Sequence, residues 1–375
     1  MKMTRLAHVL IALIGLACLT ETAQAYQYRV CEALGDSKPI KFPSNTATVR
    51  SSTTSFPTGG YLTAINTTIT QFNKNPSNFS LSRVNDSGSV ALDNGQSEVW
   101  GSTSSSILQG APAIAYTYRE CYWLFGIVTQ ITEGDTIFDY GSPWQWTSSG
   151  LKTNTMRYAG SSRYIATTAL HEFGHIAGLK HENRVYNEMG QDFTYTHTQG
   201  ASVIAYFGED AGLGLVALYG LRSDNREDVA VAHWRRTGAD GQYSSHGRTR
   251  LLNSGGTELP YTNVGQEPRY TVTAGSTVKA EFTYENLGKS RQDGNPVRFY
   301  ISTDETITSA DQLIASASLN LTRNGPSTTQ HTFNLPRSLR ANTQYWLGAI
   351  ISIRSGATDA DSTNNASYIR IMTGR

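Results

Sequence analysis

The chain has 375 residues, a formal net charge of +1 and only 16% charged residues. So balanced a charge gives no pointer to a nucleic-acid partner, none being expected, and the length suits two domains. Glycine is plentiful at 34 residues, with abundant Ser, Thr and Asn, a composition suited to an exported, loop-rich, β-containing protein. Met1 to Ala25 reads as a secretory signal peptide: Lys2 and Arg5 open it, Val9 to Leu19 is an apolar run too short to span a bilayer, and Ala23-Gln24-Ala25 is a cleavage site. The protein is therefore expected to be secreted, with periplasmic or cell-surface retention as variants. A lipoprotein cut before Cys18 is the rival reading. No other apolar run is long enough to cross a membrane.

Once Cys18 has left with the signal, Cys31 and Cys121 remain. An even pair in an exported chain reads as a disulfide, here between the N-terminal segment and a central strand. The other reading has Cys31 ligating a metal in a latent form. Residues 26 to about 60 read as strand and loop. A helix is predicted from about Gly60 to Asn73, with Leu62, Ile65, Ile69 and Phe72 on its core face. Ser80 to Val84, Ala113 to Phe125 and Ile127 to Phe138 are β-prone, and Asn94-Gly95 marks a turn. Trp144 and Trp146 either cover the core or line a cleft. Ser161-Ser162 is placed to cap the following helix.

That helix carries His171-Glu172-Phe173-Gly174-His175-Ile176-Ala177-Gly178-Leu179-Lys180-His181. Residues four apart share a helix face, so His171 and His175 can aim at one point, with Glu172 to its side. A helix cannot bring His181 to the same point. Gly178 can take positive φ, end the helix and turn the chain so that His181 arrives from another direction. Three imidazoles with one open position form the ligand set of a catalytic zinc site. Zinc there would acidify a bound water and polarise a carbonyl, with Glu172 as general base and then acid.

The H-E-x-x-H-x-x-G-x-x-H run resembles the metzincin signature of zinc proteases. Met189 follows in Asn187-Glu188-Met189-Gly190, a spacing similar to that of the matrixin branch, whose Met forms a floor beneath the metal. Glu182, directly after His181, is more like the astacin branch. Thr167-Thr168-Ala169-Leu170 before the motif and Gly214-Leu215-Val216-Ala217-Leu218-Tyr219-Gly220 after it also resemble matrixins. The resemblance implies an α+β catalytic domain with a twisted mixed sheet and an active-site helix. It implies that Gly134 to Asp139 is the edge strand bordering the cleft, which could receive a peptide by strand addition. Asp135 and Asp139 are candidates for a structural Ca2+. Tyr195 is a candidate oxyanion donor, and His197 reads as a surface residue. A helix from about Ser202 to Leu218 would close this domain.

Residues 221 to about 265 read as a charged, solvated connector. From 265 onward short strands alternate with turns, as in Val278, Ala280, Phe282 and Tyr284, which suggests an immunoglobulin-like β-sandwich. The pieces Asn286-Leu287-Gly288, Val297 to Asp304 and Asp361-Ser362-Thr363-Asn364-Asn365 resemble the bacterial adhesion-related CARDB module, which implies a spacer or a binder of a surface protein or glycan. The expected organisation is a signal peptide at 1–25, a zinc metalloprotease domain at 26–235, a linker at 236–264 and an all-β sandwich at 265–375. The expected function is a secreted zinc endopeptidase acting on proteins or peptides. The alternative is a secreted binding or adhesion protein whose zinc domain is vestigial, and hydrolysis of a non-protein polymer is a third reading.

Overall fold

The structure is a computed structural model that describes residues 26–374 apart from 57–58, 87, 159, 186, 192–196, 235–246, 266, 324 and 355. The signal-peptide reading and Tyr195 lie outside the described residues. The α+β metzincin-like class is corrected by the architecture. The chain is mostly β, with 46% strand against 13% helix. Among the described residues there are four α-helices: α1 at Gly59–Phe72, α2 at Ser105–Leu108, α3 at Ile165–Ile176 and α4 at Glu209–Tyr219. The physical reason lies in the second half, where apolar residues alternate with polar ones in strand after strand.

The first region is built on a five-stranded sheet, in the order Ser80–Asp86, Thr46–Ser52, Glu98–Ser102, Ile127–Asp139, Ala113–Trp123. The first four strands run parallel and the last is antiparallel to its neighbour. Ile65, Ile69 and Phe72 of α1 and Leu170 and Phe173 of α3 share one core with Val49, Val99 and Phe138 of the sheet. Gly134 to Asp139 is therefore not the edge strand. Asp135, Thr136, Ile137 and Phe138 are all fully buried, as in a strand covered on both faces and paired on both sides. The edge is Ala113–Trp123. The cysteines form the expected disulfide, Cys31–Cys121, with Cα atoms 5.6 Å apart, so Cys31 is no metal ligand.

Two local expectations also change. α3 begins at Ile165, with Tyr164 at its N-cap and no side-chain cap, so Ser161-Ser162 does not start it. The helix expected from Ser202 is a short strand, Ser202–Ile204, before α4 starts after Gly208 (φ 80°).

The second region is a sandwich of two sheets. Thr277–Asn286 lies at the heart of one, pairing with Val229–Ala232, Arg250–Asn253 and Ser327–Asn334. The other has six strands, in the order Tyr261–Val264, Glu267–Val272, Ala366–Thr373, Gln344–Ile351, Gln292–Ser302, Gln312–Leu321. Val278, Ala280, Phe282 and Tyr284 point into the core against Val297, Phe299, Leu347, Ile369 and Ile371. The expected connector is thus corrected. Val229–Ala232, fully buried, and Arg250–Asn253 are sandwich strands, and Tyr261–Val264 joins the second sheet. Short strands flanked by charged residues leave no clear period in the sequence, and long-range pairing recruits them.

The two regions meet across buried polar groups. Lys152 Nζ lies 2.9 Å from Glu305 and 3.8 Å from Glu267, and also bonds the Tyr368 hydroxyl. Glu267 further accepts from Tyr368 (2.7 Å) and pairs with Arg370 (2.8 Å). Tyr206 donates to Glu285 at 2.6 Å, and Glu209 at the start of α4 accepts from the backbone of Asn286 (3.0 Å) and Gly325 (3.1 Å). The Gly200 N–H donates to Glu305 O at 2.9 Å. His197, expected at the surface, is fully buried at this junction.

Candidate metal centre

Three elements bring the histidines together. α3 presents His171 and His175 from adjacent turns. Its C-terminus gives way at Gly178, whose φ of 106° turns the chain. A Cβ at Gly178 would lie 2.7 Å from Ile40 O, so glycine is needed for space as well as for conformation. Past the turn the chain is held by the segment following Tyr26: Arg29 N–H donates to Gly178 O and Lys180 N–H to Gln27 O, each at 2.9 Å. His181 is thereby delivered beside the helix.

One ring nitrogen from each of His171, His175 and His181 lies within 4.8 Å of the others, and this is the group of three converging donors among the described residues. His171 Nδ1 lies 2.6 Å from Glu188 O and His175 Nδ1 lies 2.9 Å from Leu179 O. A carbonyl oxygen only accepts, so each Nδ1 carries the proton and each Nε2 the lone pair. His171 Nε2 and His181 Nε2 stand 3.2 Å apart. Two nitrogens bound tetrahedrally to one metal ion at about 2.0–2.1 Å stand roughly 3.3 Å apart, so this pair is spaced as two ligands of one ion would be. Burial lowers all three basicities and holds His175 down to about 3; the neighbouring rings add to the effect at His171 and His175, and Arg29 adds to it at His175 and His181. Neutral imidazole is the form that binds a metal.

Glu172 is buried, and burial raises its carboxyl to about 8 against the opposing hydrogen bond from the backbone of Ala115. Its cleft, about 700 Å³, is lined by Ala111–Ala115 on one side and by Arg29, His171, Glu172, His175, His181 and Gln191 on the other. Met189 is buried against α3 between the first two histidines. A Cβ on Gly174 would fall 2.2 Å from Met189 Sδ, so the glycine inside the motif permits that contact. The loop from Glu182 to Met189 is closed by Glu182 N–H to Met189 O (2.9 Å) and by Met189 N–H to Asn187 Oδ1 (2.6 Å). Ala115 N–H, Glu188 O, Leu179 O, Gly174 and Asn187 are the supporting groups that motif reading missed. Only Gly174, a small residue between two ligands, left a local trace.

The calcium reading is not supported by placement. Asp135 and Asp139 are four residues apart on one extended strand, roughly 13 Å. Asp135 Oδ1 accepts from Glu98 N–H (2.9 Å) and Asp139 Oδ1 from Gly141 N–H (2.6 Å). Trp146 packs on Phe138 with ring centres 5.3 Å apart, and Trp144 lies under Arg163.

No family model and no curated protein matches the chain. Among solved structures it is similar to the CARDB domain of a Pyrococcus furiosus protein in complex with di-metal ions, at 14% identity over 28% of this chain and 78% of that one, TM-score 0.22. It is also similar to a domain of a protein described as a cell surface protein of Methanosarcina acetivorans, at 17% identity over 33% of this chain and 91% of that one, TM-score 0.21. A third similarity is to a lytic polysaccharide monooxygenase of Streptomyces lividans, at 15% identity over 32% of this chain and 63% of that one, TM-score 0.18. The sandwich is established by its own two sheets and shared core. Among the described residues no helix is long and apolar enough to cross a membrane.

Proposed function

We propose that the chain is a secreted zinc-dependent hydrolase of peptide bonds. The observation that carries this reading is the convergence of His171, His175 and His181 beside a buried Glu172 at a cleft walled by an edge strand. Zinc, when bound, supplies Lewis acidity toward the scissile carbonyl and a more acidic water. His171, His175 and His181 hold the ion, the first two oriented by the carbonyls of Glu188 and Leu179. Glu172, whose ionised form a cation held beside it would favour, takes a proton from water at its carboxylate and returns it to the leaving amine nitrogen. The outer side of the edge strand Ala113–Trp123, where Glu172 does not already take the Ala115 N–H, receives an extended peptide backbone. Gly178 and Met189 set the third ligand and the floor.

The test is cleavage of unfolded casein by purified protein, with metal counted by mass spectrometry. Glu172→Gln is expected to keep its zinc and to lose about 10²–10⁴-fold in rate. Equal rates in the two proteins would sink the assignment of Glu172. Cleavage of a polysaccharide in place of casein would move the substrate to the non-protein reading.

The second reading, a surface-binding or adhesion protein whose metal site is not catalytic, is favoured by one observation. A hairpin end carries Trp123, Leu124 and Phe125 bare to solvent. Stoichiometric zinc with no hydrolysis in any form is its expected signature.

A further inference from the structure

The hairpin of strands Ala113–Trp123 and Ile127–Asp139 runs beyond its sheet. Its inner end lines the cleft; its outer end carries Tyr122, Trp123, Leu124 and Phe125, exposed by 48%, 44%, 59% and 101%. Four consecutive large apolar side chains in water are unfavourable, and such a patch marks a surface that something covers. The end is also rigidly built. The Cys31–Cys121 disulfide clamps its base. An extra residue on the return strand, opposite Tyr118 and Arg119, re-aims its outer half. At the apex Leu124 N–H donates to Gly126 O at 2.8 Å, and Phe125 is held at φ 51°, a conformation that a phenylalanine seldom adopts. Leu34, 79% exposed, sits at the turn of the hairpin that the same disulfide ties in.

We propose that this tip is a fixed apolar anchor that inserts into a lipid bilayer. The inference does not depend on the chemistry proposed at the cleft. Three features select a bilayer over a protein. The tip is a convex finger of four side chains, whereas a stable protein interface takes roughly 20–30 residues a side. A bilayer needs no matched surface. The side chains are ordered for the interface: Leu124 and Phe125 at the apex, with amphipathic Trp123 and Tyr122 one step behind, at headgroup level. Finally, residues 121–129 carry no charge, while exposed Arg119 and Lys38 stand at the base. Lys38 Nζ lies 3.4 Å from Ile127 O, in reach of lipid phosphates. Glu32, Asp36 and Glu120 are the acids at the same end, Glu120 being bonded by Gln130 at 2.8 Å. This near balance makes apolar insertion, with little salt dependence, the driving term. Ala115 and Leu124 are nine residues apart, about 30 Å of strand, so the cleft would ride above the membrane at about that height.

Vesicle flotation tests the proposal, with purified full-length mature protein and liposomes of phosphatidylcholine and phosphatidylglycerol. The wild type is expected to float, and to float still in high salt. The Leu124→Ser, Phe125→Asn double variant, in which Asn suits the positive φ, is expected to lose about 100-fold in partition coefficient. Circular dichroism and the intact disulfide check its fold. Brominated acyl chains are expected to quench the wild type, while Trp123→Phe removes that quenching without preventing flotation. A wild type that stays at the bottom, or a double variant that floats as well, overturns the anchor. So does a wild-type dimer in solution that the double variant dissolves, which would make the tip a contact between copies.

Discussion

Two clusters of ionisable side chains in this molecule, each with buried members, face different things. At the junction of the two regions Lys152, Arg370, Glu267 and Glu305 are of both signs and answer one another, with Tyr368 bonded between them. In the cleft, three imidazoles crowd together beside a carboxyl, and each is less basic for being there. The junction pairs charges of opposite sign without a ligand and links one region to the other. The cleft gathers like groups that repel as they protonate, an arrangement that makes physical sense when a cation arrives from outside. Burial alone therefore does not mark a functional site. What marks it is donors that converge without neutralising one another.

The comparison breaks most readily at the ligands. His175→Ala is expected to abolish stoichiometric zinc binding and all hydrolysis while circular dichroism stays native. Retention of zinc would make the convergence incidental. Next in size is the junction. Lys152→Met removes the nearer cation from half-buried Glu305 and one of two cations from buried Glu267, leaving Arg370 to both, and is expected to cost roughly 2–3 kcal/mol in urea unfolding. A change below about 1 kcal/mol would show that the regions do not depend on this lock.

The pH dependence sharpens the contrast. Burial holds His197 at about 4, below its ordinary 6.5, with Asp361 and Lys152 the charged groups facing it. Between those values the unfolded chain takes up a proton that the folded chain refuses. Stability from this residue is thus intact above pH 6.5 and lost as pH falls toward 4, by up to about 3 kcal/mol. His197→Gln is expected to flatten that part of the profile in urea melts at pH 7, 5.5 and 4; an unchanged slope would assign it to other groups. The smallest effect concerns the floor of the metal centre. Gly174→Ala drives a methyl against Met189 Sδ and is expected to destabilise by about 1–3 kcal/mol, with partial recovery when Met189→Ala is added. Additive losses would mean that the two do not touch.

Much of the metal centre was legible because its chemistry is local. His171 and His175 share a face by helix period, and a glycine at 178 is a turn that any reader of φ can anticipate. The alternation through Val278, Ala280, Phe282 and Tyr284 likewise announces a half-buried strand. The disulfide followed from counting the cysteines left once the expected signal peptide is set aside. Other features had no local signature. Gly134 to Asp139 looked like an edge because nothing in its residues reveals which strands flank it. Val229–Ala232 and Arg250–Asn253 looked like a connector because their pairing partner, Thr277–Asn286, lies far along the chain. The prominence given to one helical motif also overstated helix in a chain that is mostly strand.

Residue type and spacing, then, were enough to name the three histidines, the glutamate and the turning glycine. They could not say that Glu188 O and Leu179 O orient two of the rings, that Ala115 N–H reaches Glu172, or that His197 is sealed in a junction. Nor could they say that Tyr122 to Phe125 end a hairpin in open solvent while similar apolar runs are buried. Periodicity and turn preference act over a few residues, whereas burial and pairing depend on which distant segments the folded chain brings alongside.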